Sequence, residues 1–119
     1  MGFTFTDVTV RSPAEPERSW EGRFLVDTGS TDTLVPRDRL EELGLRPYGS
    51  DSYELADGSS QDAEFTGARL EFMGSDAFVR VVYGPPGCEP LLGVLALESA
   101  RFEVDPVSQE IRRAKRLRL

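Results

Sequence analysis

One carboxylate in this chain sits where a side chain can do chemistry. In Phe24-Leu25-Val26-Asp27-Thr28-Gly29-Ser30, three apolar residues carry the backbone through an interior and end on Asp27. A carboxylate at the end of a buried strand is costly unless hydrogen bonds or a function offset the lost hydration. Thr28 and Ser30 supply hydroxyls, and Gly29 permits a tight turn whose N–H groups can approach the carboxylate closely. Such a turn holds Asp27 rigidly with its oxygens directed at a cleft. The tetrapeptide alone also fits an ordinary turn closing a strand, because all four residue types are common turn formers. Context separates the two readings: the apolar triplet before it, Thr33-Leu34-Val35 after it, a hairpin beyond, and a second apolar-Gly element, Leu91-Leu92-Gly93. A phosphatase of the Asp-x-Asp type also begins with an aspartate after a strand, but the second aspartate position here is Gly29.

Little else in the 119 residues offers comparable chemistry. There is no histidine, which removes Ser-His-Asp triads, Cys-His dyads and imidazole-ligated metal sites. The single Cys88 can make neither a zinc cluster nor an internal disulfide, and without a histidine beside it reads as an ordinary thiol. Lys115 lies in a basic segment with no apolar run to depress its pKa. No metal and no cofactor are expected. Carboxylates are plentiful, with 21 Asp and Glu against 14 Lys and Arg and a net charge of −7. Residues 112–118 carry five of those cations and no carboxylate, leaving −12 on the remainder. A globally acidic protein is repelled by phosphate at long range, so nucleic acid is not an expected partner, and the basic segment reads as a solvated end or as one that faces the acidic body of the same or a neighbouring chain. No apolar run approaches the roughly 18 residues of a membrane span, and Met1-Gly2-Phe3-Thr4-Phe5 lacks the features of a secretory signal. The expectation is a cytoplasmic protein with no membrane partner.

The elements that must position Asp27 are short and mostly extended. Phe3, Phe5, Val8 and Val10 predict a first strand, ended by Arg11-Ser12-Pro13; Trp20 to Val26 predicts a second and Thr33-Leu34-Val35 a third. Pro36 opens a short helix over Arg37 to Leu43, with Gly44 placed to end it. Tyr53–Ala56 and Ala63–Thr66 flank the polar turn 57–62 as a hairpin with a glycine at its tip. Strands over Ala68–Met73 and Ala77–Tyr83 follow, then the break Gly84-Pro85-Pro86-Gly87, then Leu91-Leu92-Gly93 and a helix from Val94 to Ser99. Phe102 and Val104 predict a last strand, turned at Asp105-Pro106 toward Ile111. The pattern is mostly β with one or two short helices and no βαβ alternation: one domain over residues 1–111, followed by a basic C-terminal tail, 112–119. Trp20 and Phe72 are assigned to its core.

In this order the motifs resemble the retropepsins, the retroviral-type aspartic proteases, and especially their small single-domain bacterial relatives. Phe24 to Ser30 resembles the active-site segment, with Asp27 catalytic and Thr28, Gly29 and Ser30 completing its loop. Ala56, Asp57, Gly58 and Ser59 fall where the tip of the flap hairpin belongs, and Leu91, Leu92 and Gly93 resemble the element that supports the active-site loop. The resemblance implies the acid-protease fold, a closed β-barrel or sandwich with a flap, and an aspartic endopeptidase acting on protein or peptide substrates.

That chemistry needs two adjacent carboxylates sharing a proton, and the chain has one Asp-Thr-Gly. A homodimer contributing Asp27 from each subunit is the economical solution. By resemblance, Thr28 bonds across the twofold axis and Ser30 contacts the outer oxygen of the carboxylate. Many viral relatives also place an ion pair at positions that are Thr31 and Val94 here, so both of its partners are missing together, and Val94 and Leu95 offer apolar packing instead. A peptide-binding module or a dimerisation module on the same fold is the alternative reading. An intact Asp-Thr-Gly-Ser favours the enzyme, because neither a binder nor a scaffold needs a costly carboxylate at that place.

Overall fold

A computed structural model describes residues 4–115. Phe3 of the predicted first strand and residues 116–119 of the basic tail lie outside the described residues. Alternation sets the first sheet contacts. In β1 (Thr4–Arg11), Val8 and Val10 are fully buried, and the strand pairs antiparallel along its whole length with β2 (Ser19–Val26), from Thr4 opposite Val26 to Arg11 opposite Ser19. A one-residue slip would turn the valines outward, so burial fixes this register. At its far end β2 runs parallel to β7 (Leu91–Leu92), which lies antiparallel to β3 (Thr33–Pro36), and β3 runs parallel to β6 (Ser75–Gly84). β5 (Ser60–Phe72) and β4 (Gly49–Glu54) complete the order β1-β2-β7-β3-β6-β5-β4. β1 also pairs with β5 through Thr9–Arg11 and Arg69–Glu71, closing the sheet on itself. The fold is therefore the expected mostly β closed barrel with a hairpin extending from it.

The two expected segments Ala63–Thr66 and Ala68–Met73 are one strand. Gly67 does not interrupt it, because its backbone stays in the ladder opposite Arg80. β5 instead changes partners: Ser60 to Phe65 pair with β4, and Phe65 to Phe72 pair with β6. β4 begins at Gly49, earlier than its polar residues predict, since an exposed hairpin arm needs no apolar face to pair.

Two helices plug the barrel. α1 (Arg37–Glu42) buries Leu40 completely and ends where Gly44 takes φ +76°, with Gly44 N–H donating to Glu41 O and Leu45 N–H to Leu40 O. α2 (Val94–Ser99) buries Ala96 and Leu97. With Phe24, Val35, Leu70, Val81 and Leu92 these residues make one core. Phe72 is buried within it, and Trp20 packs on its edge with its ring 6.0 Å from that of Phe24.

The chain then forms a separate hairpin, β8 (Phe102–Val104) with β9 (Ile111–Arg113). Arg112 and Arg113, assigned to the tail by sequence, are thus strand residues. Arg112 lies opposite Glu103 and pairs with its carboxylate at 3.1 Å, and Arg113 donates to Gly74 O at 3.3 Å. Asp105 shapes the turn, its carboxylate accepting from the N–H groups of Val107 (2.8 Å) and Ser108 (3.0 Å). Those bonds, helped by Arg112, hold its pKa below the usual carboxylate value.

Two outcomes follow. A Cβ on Gly93 would stand 2.5 Å from Asp32 O and 2.7 Å from Thr31 O, both backbone atoms. Gly93→Ala should therefore cost about 1–3 kcal/mol, read as a lower urea midpoint; an unchanged midpoint would contradict the packing. Asp105 binds its proton more weakly when folded, so its contribution is complete above the ordinary aspartate range (about pH 4) and fades as pH falls through the depressed folded value. Protection of the 105–110 amides, taken relative to the intrinsic exchange rate at each pH, should fall on acidification into that range, and Asp105→Asn should remove the dependence.

Candidate active site

β2 delivers Asp27 to the end of its parallel pairing with β7. Leu25 N–H donates to Pro90 O at 3.1 Å and Asp27 N–H to Leu92 O at 3.0 Å, so Asp27 is held by the last rung of that ladder. The chain then turns. Ser30 N–H returns to Asp27 O at 3.1 Å, and Gly29 N–H donates to the Asp27 carboxylate at Oδ1, 3.0 Å away. A Cβ at Gly29 would lie 3.3 Å from that oxygen, so glycine keeps the approach free. The exit of the loop is held from α2, where Val94 N–H donates to Ser30 O at 2.8 Å and Leu95 N–H to Thr31 O at 3.2 Å. Gly93 N–H donates to the buried Thr33 Oγ1 at 3.0 Å. Leu92 and Gly93 thus sit behind the loop, fully covered, and Leu91 faces the cleft.

Hydroxyls fix the rest. Thr28 Oγ1 donates to Gln109 Oε1 at 3.0 Å. Ser30 Oγ donates to the backbone oxygen of Asp32 at 2.9 Å, so within the chain its hydroxyl braces the loop and does not reach the Asp27 carboxylate as the resemblance implies. Asp27 itself is half-buried.

Beside the loop opens a cleft of about 660 Å³, floored by Gly29, Ser30, Asp32 and Leu34, walled by Val82, Tyr83 and Leu91, and roofed by hairpin residues Ser52 to Leu55, Gln61 and Ala63. The hairpin arms line it; the tip residues Ala56, Asp57, Gly58 and Ser59 do not. At the tip, Gly58 adopts φ +86° and donates its N–H to Leu55 O, while the Asp57 carboxylate accepts from Ser59 N–H and hydroxyl, which lowers its pKa. One bond ties roof to floor: Tyr53 Oη donates to Asp32 Oδ2 at 2.9 Å. Burial first, and then this carboxylate partner, push the Tyr53 hydroxyl pKa up and keep it protonated as a donor. The charged residues of the lining are Asp32 and Glu54.

Asp32, Tyr53, Tyr83 and Gln109 escape sequence reasoning. Asp32 looks like one polar residue among several, and Gln109 meets Thr28 only because the chain doubles back over 81 positions. Tyr53 carries the one detectable signal, an aromatic in an otherwise polar hairpin arm. Burial raises the pKa of Cys88, and the neighbouring Asp38 carboxylate adds to this, which leaves a protonated and poorly nucleophilic thiol. Among the described residues no His, Cys, Asp and Glu side chains cluster as metal ligands. The chemistry on offer is that of one oriented carboxylate, which does not itself line the cleft but stands two residues before Gly29, which does.

The comparisons with known proteins agree with that geometry. The solution structure of the simian foamy virus (mac) protease is similar over 80% of this chain and 92% of that one, with a TM-score of 0.57 at 17% identity. At that identity the likeness speaks for the fold, which is retropepsin-like. No curated protein matches the sequence. The family model described as aspartyl protease matches residues 17–96, which include Asp27, the hairpin and Leu91-Leu92-Gly93. The chain belongs to the aspartyl protease family.

Proposed function

We propose that the chain is an aspartic endopeptidase whose active site is completed by a second copy, each subunit supplying one Asp27. The observation that carries this reading is the Asp27 carboxylate itself: half-exposed, oriented by Gly29 N–H, and next to a cleft roofed by a hairpin. One carboxylate can act as base or acid, not both at once, and no histidine is present to share the work. Exposed apolar side chains beside the loop support a chain–chain contact. Leu95 is 44% exposed and follows Val94 on the helix that holds the loop, and Val107 is 91% exposed in the turn that holds Thr28.

In the two-chain site the ionised carboxylate takes a proton from a water whose oxygen attacks the peptide carbonyl carbon. The protonated carboxyl gives its proton to the carbonyl oxygen as the tetrahedral diol forms. Collapse of the diol breaks the C–N bond, the leaving nitrogen takes a proton from the dyad, and the second diol proton returns the pair to its starting state. No metal and no covalent intermediate enter this route. The hairpin around Ala56, Asp57, Gly58 and Ser59 closes over the substrate and excludes water. Asp32 and Glu54 give the cleft an acidic lining, which favours peptides carrying Arg or Lys.

Asp27→Asn should lower cleavage of a peptide library at mildly acidic to neutral pH by at least about 100-fold. The wild-type rate should rise with the square of chain concentration while the dimer is dilute. Equal activity in the two proteins would sink the mechanism, a first-power dependence at concentrations where sedimentation shows the chain to be monomeric would sink the dimeric site, and a wild type that binds without cleaving would point to the peptide-binding module. In the same library, cleavage products should be enriched for Arg or Lys near the scissile bond; a profile indifferent to basic residues would remove the acidic-cleft preference.

A further inference from the structure

Two carboxylates line the cleft, and they are held very differently. Glu54 stands on an exposed hairpin arm and joins none of the ion pairs formed among the described residues. Asp32 is half-buried. Its backbone oxygen accepts from Ser30 Oγ at 2.9 Å, and its carboxylate accepts from Tyr53 Oη at 2.9 Å. We propose that Tyr53 is a positioning residue for substrate specificity. It fixes the Asp32 carboxylate, with its charge intact, so that the second oxygen takes an arginine or lysine of the peptide. This deepens the proposed preference for basic peptides and rests on it.

The donor is the first reason. A phenol hydroxyl gives one proton to Oδ2 and leaves the negative charge in place, whereas a lysine or arginine there would cancel it. Among the described residues no hydrogen bond ends on Oδ1 of Asp32, and Asp32 joins no ion pair. The second reason is that a cation within reach is diverted. Arg80 stands close enough to be drawn toward the Tyr53 hydroxyl and the Asp32 charge. Its guanidinium nevertheless pairs with Asp51 at 2.8 Å and lies over the Phe65 ring at 3.6 Å. What remains in the cleft wall is a charged acceptor with one oxygen free, and the partner such a group bonds most strongly is a cationic donor.

Position is the third reason. Tyr53 lies on β4 opposite Gln61, so the tie is anchored in a paired strand and not in a loop. A carboxylate already oriented loses less freedom on meeting a guanidinium or ammonium group than a swinging one, and that gain goes to cationic peptides alone. The pair also stands clear of the surfaces proposed to meet a second chain, since neither α2 nor the 105–110 turn contributes to the cleft lining.

Two capped octapeptide pools provide the test. Both are randomised over uncharged residues, except at one central position that is arginine in one pool and its neutral near-isostere citrulline in the other. Affinity is measured on Asp27→Asn chains, and kcat and KM on chains that keep Asp27. The unmodified cleft should prefer the arginine pool. Tyr53→Phe, which keeps the ring and removes the donor, should cut that preference about fivefold, the loss falling on the Kd and KM of the arginine pool and not on kcat. Asp32→Asn should abolish the preference, and Tyr53→Phe added to it should change the ratio no further. A Tyr53→Phe chain that loses both pools alike would assign the hydroxyl to hairpin order and overturn the proposal. An unchanged ratio would overturn it too, as would a larger one, which would make Tyr53 a competitor of the substrate for Asp32. If neither pool is cleaved while the binding ratios move as expected, the endopeptidase reading fails and the role of Tyr53 stands. Cleavage with no arginine preference in either measurement leaves the endopeptidase standing and removes that role.

Discussion

The backbone hydrogen bond from Asp27 N–H to Leu92 O is the contact on which the site depends. It ends the parallel pairing of β2 with β7, two segments joined by more than sixty residues of chain, and so it forms only when distant parts of the chain have met. Beyond it the loop has no ladder of its own. It is held instead by the backbone of α2 and by a helix entrance, Gly93, that admits no side chain. A catalytic-type carboxylate is thereby fixed by backbone atoms, which carry less conformational freedom than side chains would. The cost is long-range pairing that closes only late in folding.

Closure of the barrel follows from the same economy. β5 is long enough to serve three neighbours: β4 along its first half, β6 along its second, and β1 near its end. A single strand therefore links the hairpin roof to the strands that carry Asp27. Tyr53 adds a side-chain tie at the other end of the cleft by bonding Asp32, five residues after Asp27. Roof and floor are coupled through the sheet and through this one hydroxyl, so movement of the hairpin must either break that bond or carry Asp32 with it.

Much of this scaffold is legible in the sequence because the relevant rules are local. Val8 and Val10 announce an inward face, Pro36 and Gly44 bracket α1, and Asp105-Pro106 marks the turn between β8 and β9. The aspartate after Phe24-Leu25-Val26 is conspicuous for the same reason, as a charged residue ending an apolar run. Misreadings arise where a residue's role is set by a distant partner. Gly67 looks like a break, yet a paired strand on one flank and the rings of Tyr48 and Phe78 near its Cβ position hold it extended. Ser30 looks like a carboxylate ligand, yet its hydroxyl satisfies Asp32 O two residues on. Arg112 and Arg113 fall in a segment that reads equally as a solvated end or as facing the acidic body of the chain, and only the fold decides between them by bringing Glu103 and Gly74 O beside them. Gln109 has no local mark beyond a turn, because its meaning lies at Thr28.

The neighbours of Asp27 also bear on why a second carboxylate suits this site. Ten ion pairs are formed among the described residues, and Asp27 takes part in none of them. A cation at hydrogen-bonding distance would favour the ionised form in each subunit. Two carboxylates so fixed would repel one another and could not share a proton, and the acid half of the proposed dyad would be lost. Among the described residues the donor that reaches the Asp27 carboxylate is neutral, the backbone N–H of Gly29, while the hydroxyls of Thr28 and Ser30 donate to Gln109 and to the backbone oxygen of Asp32. That arrangement orients the carboxylate without neutralising it. In the proposed dimer the group that each Asp27 meets is its own twin, and two adjacent carboxylates can divide into one acid and one base by sharing a proton.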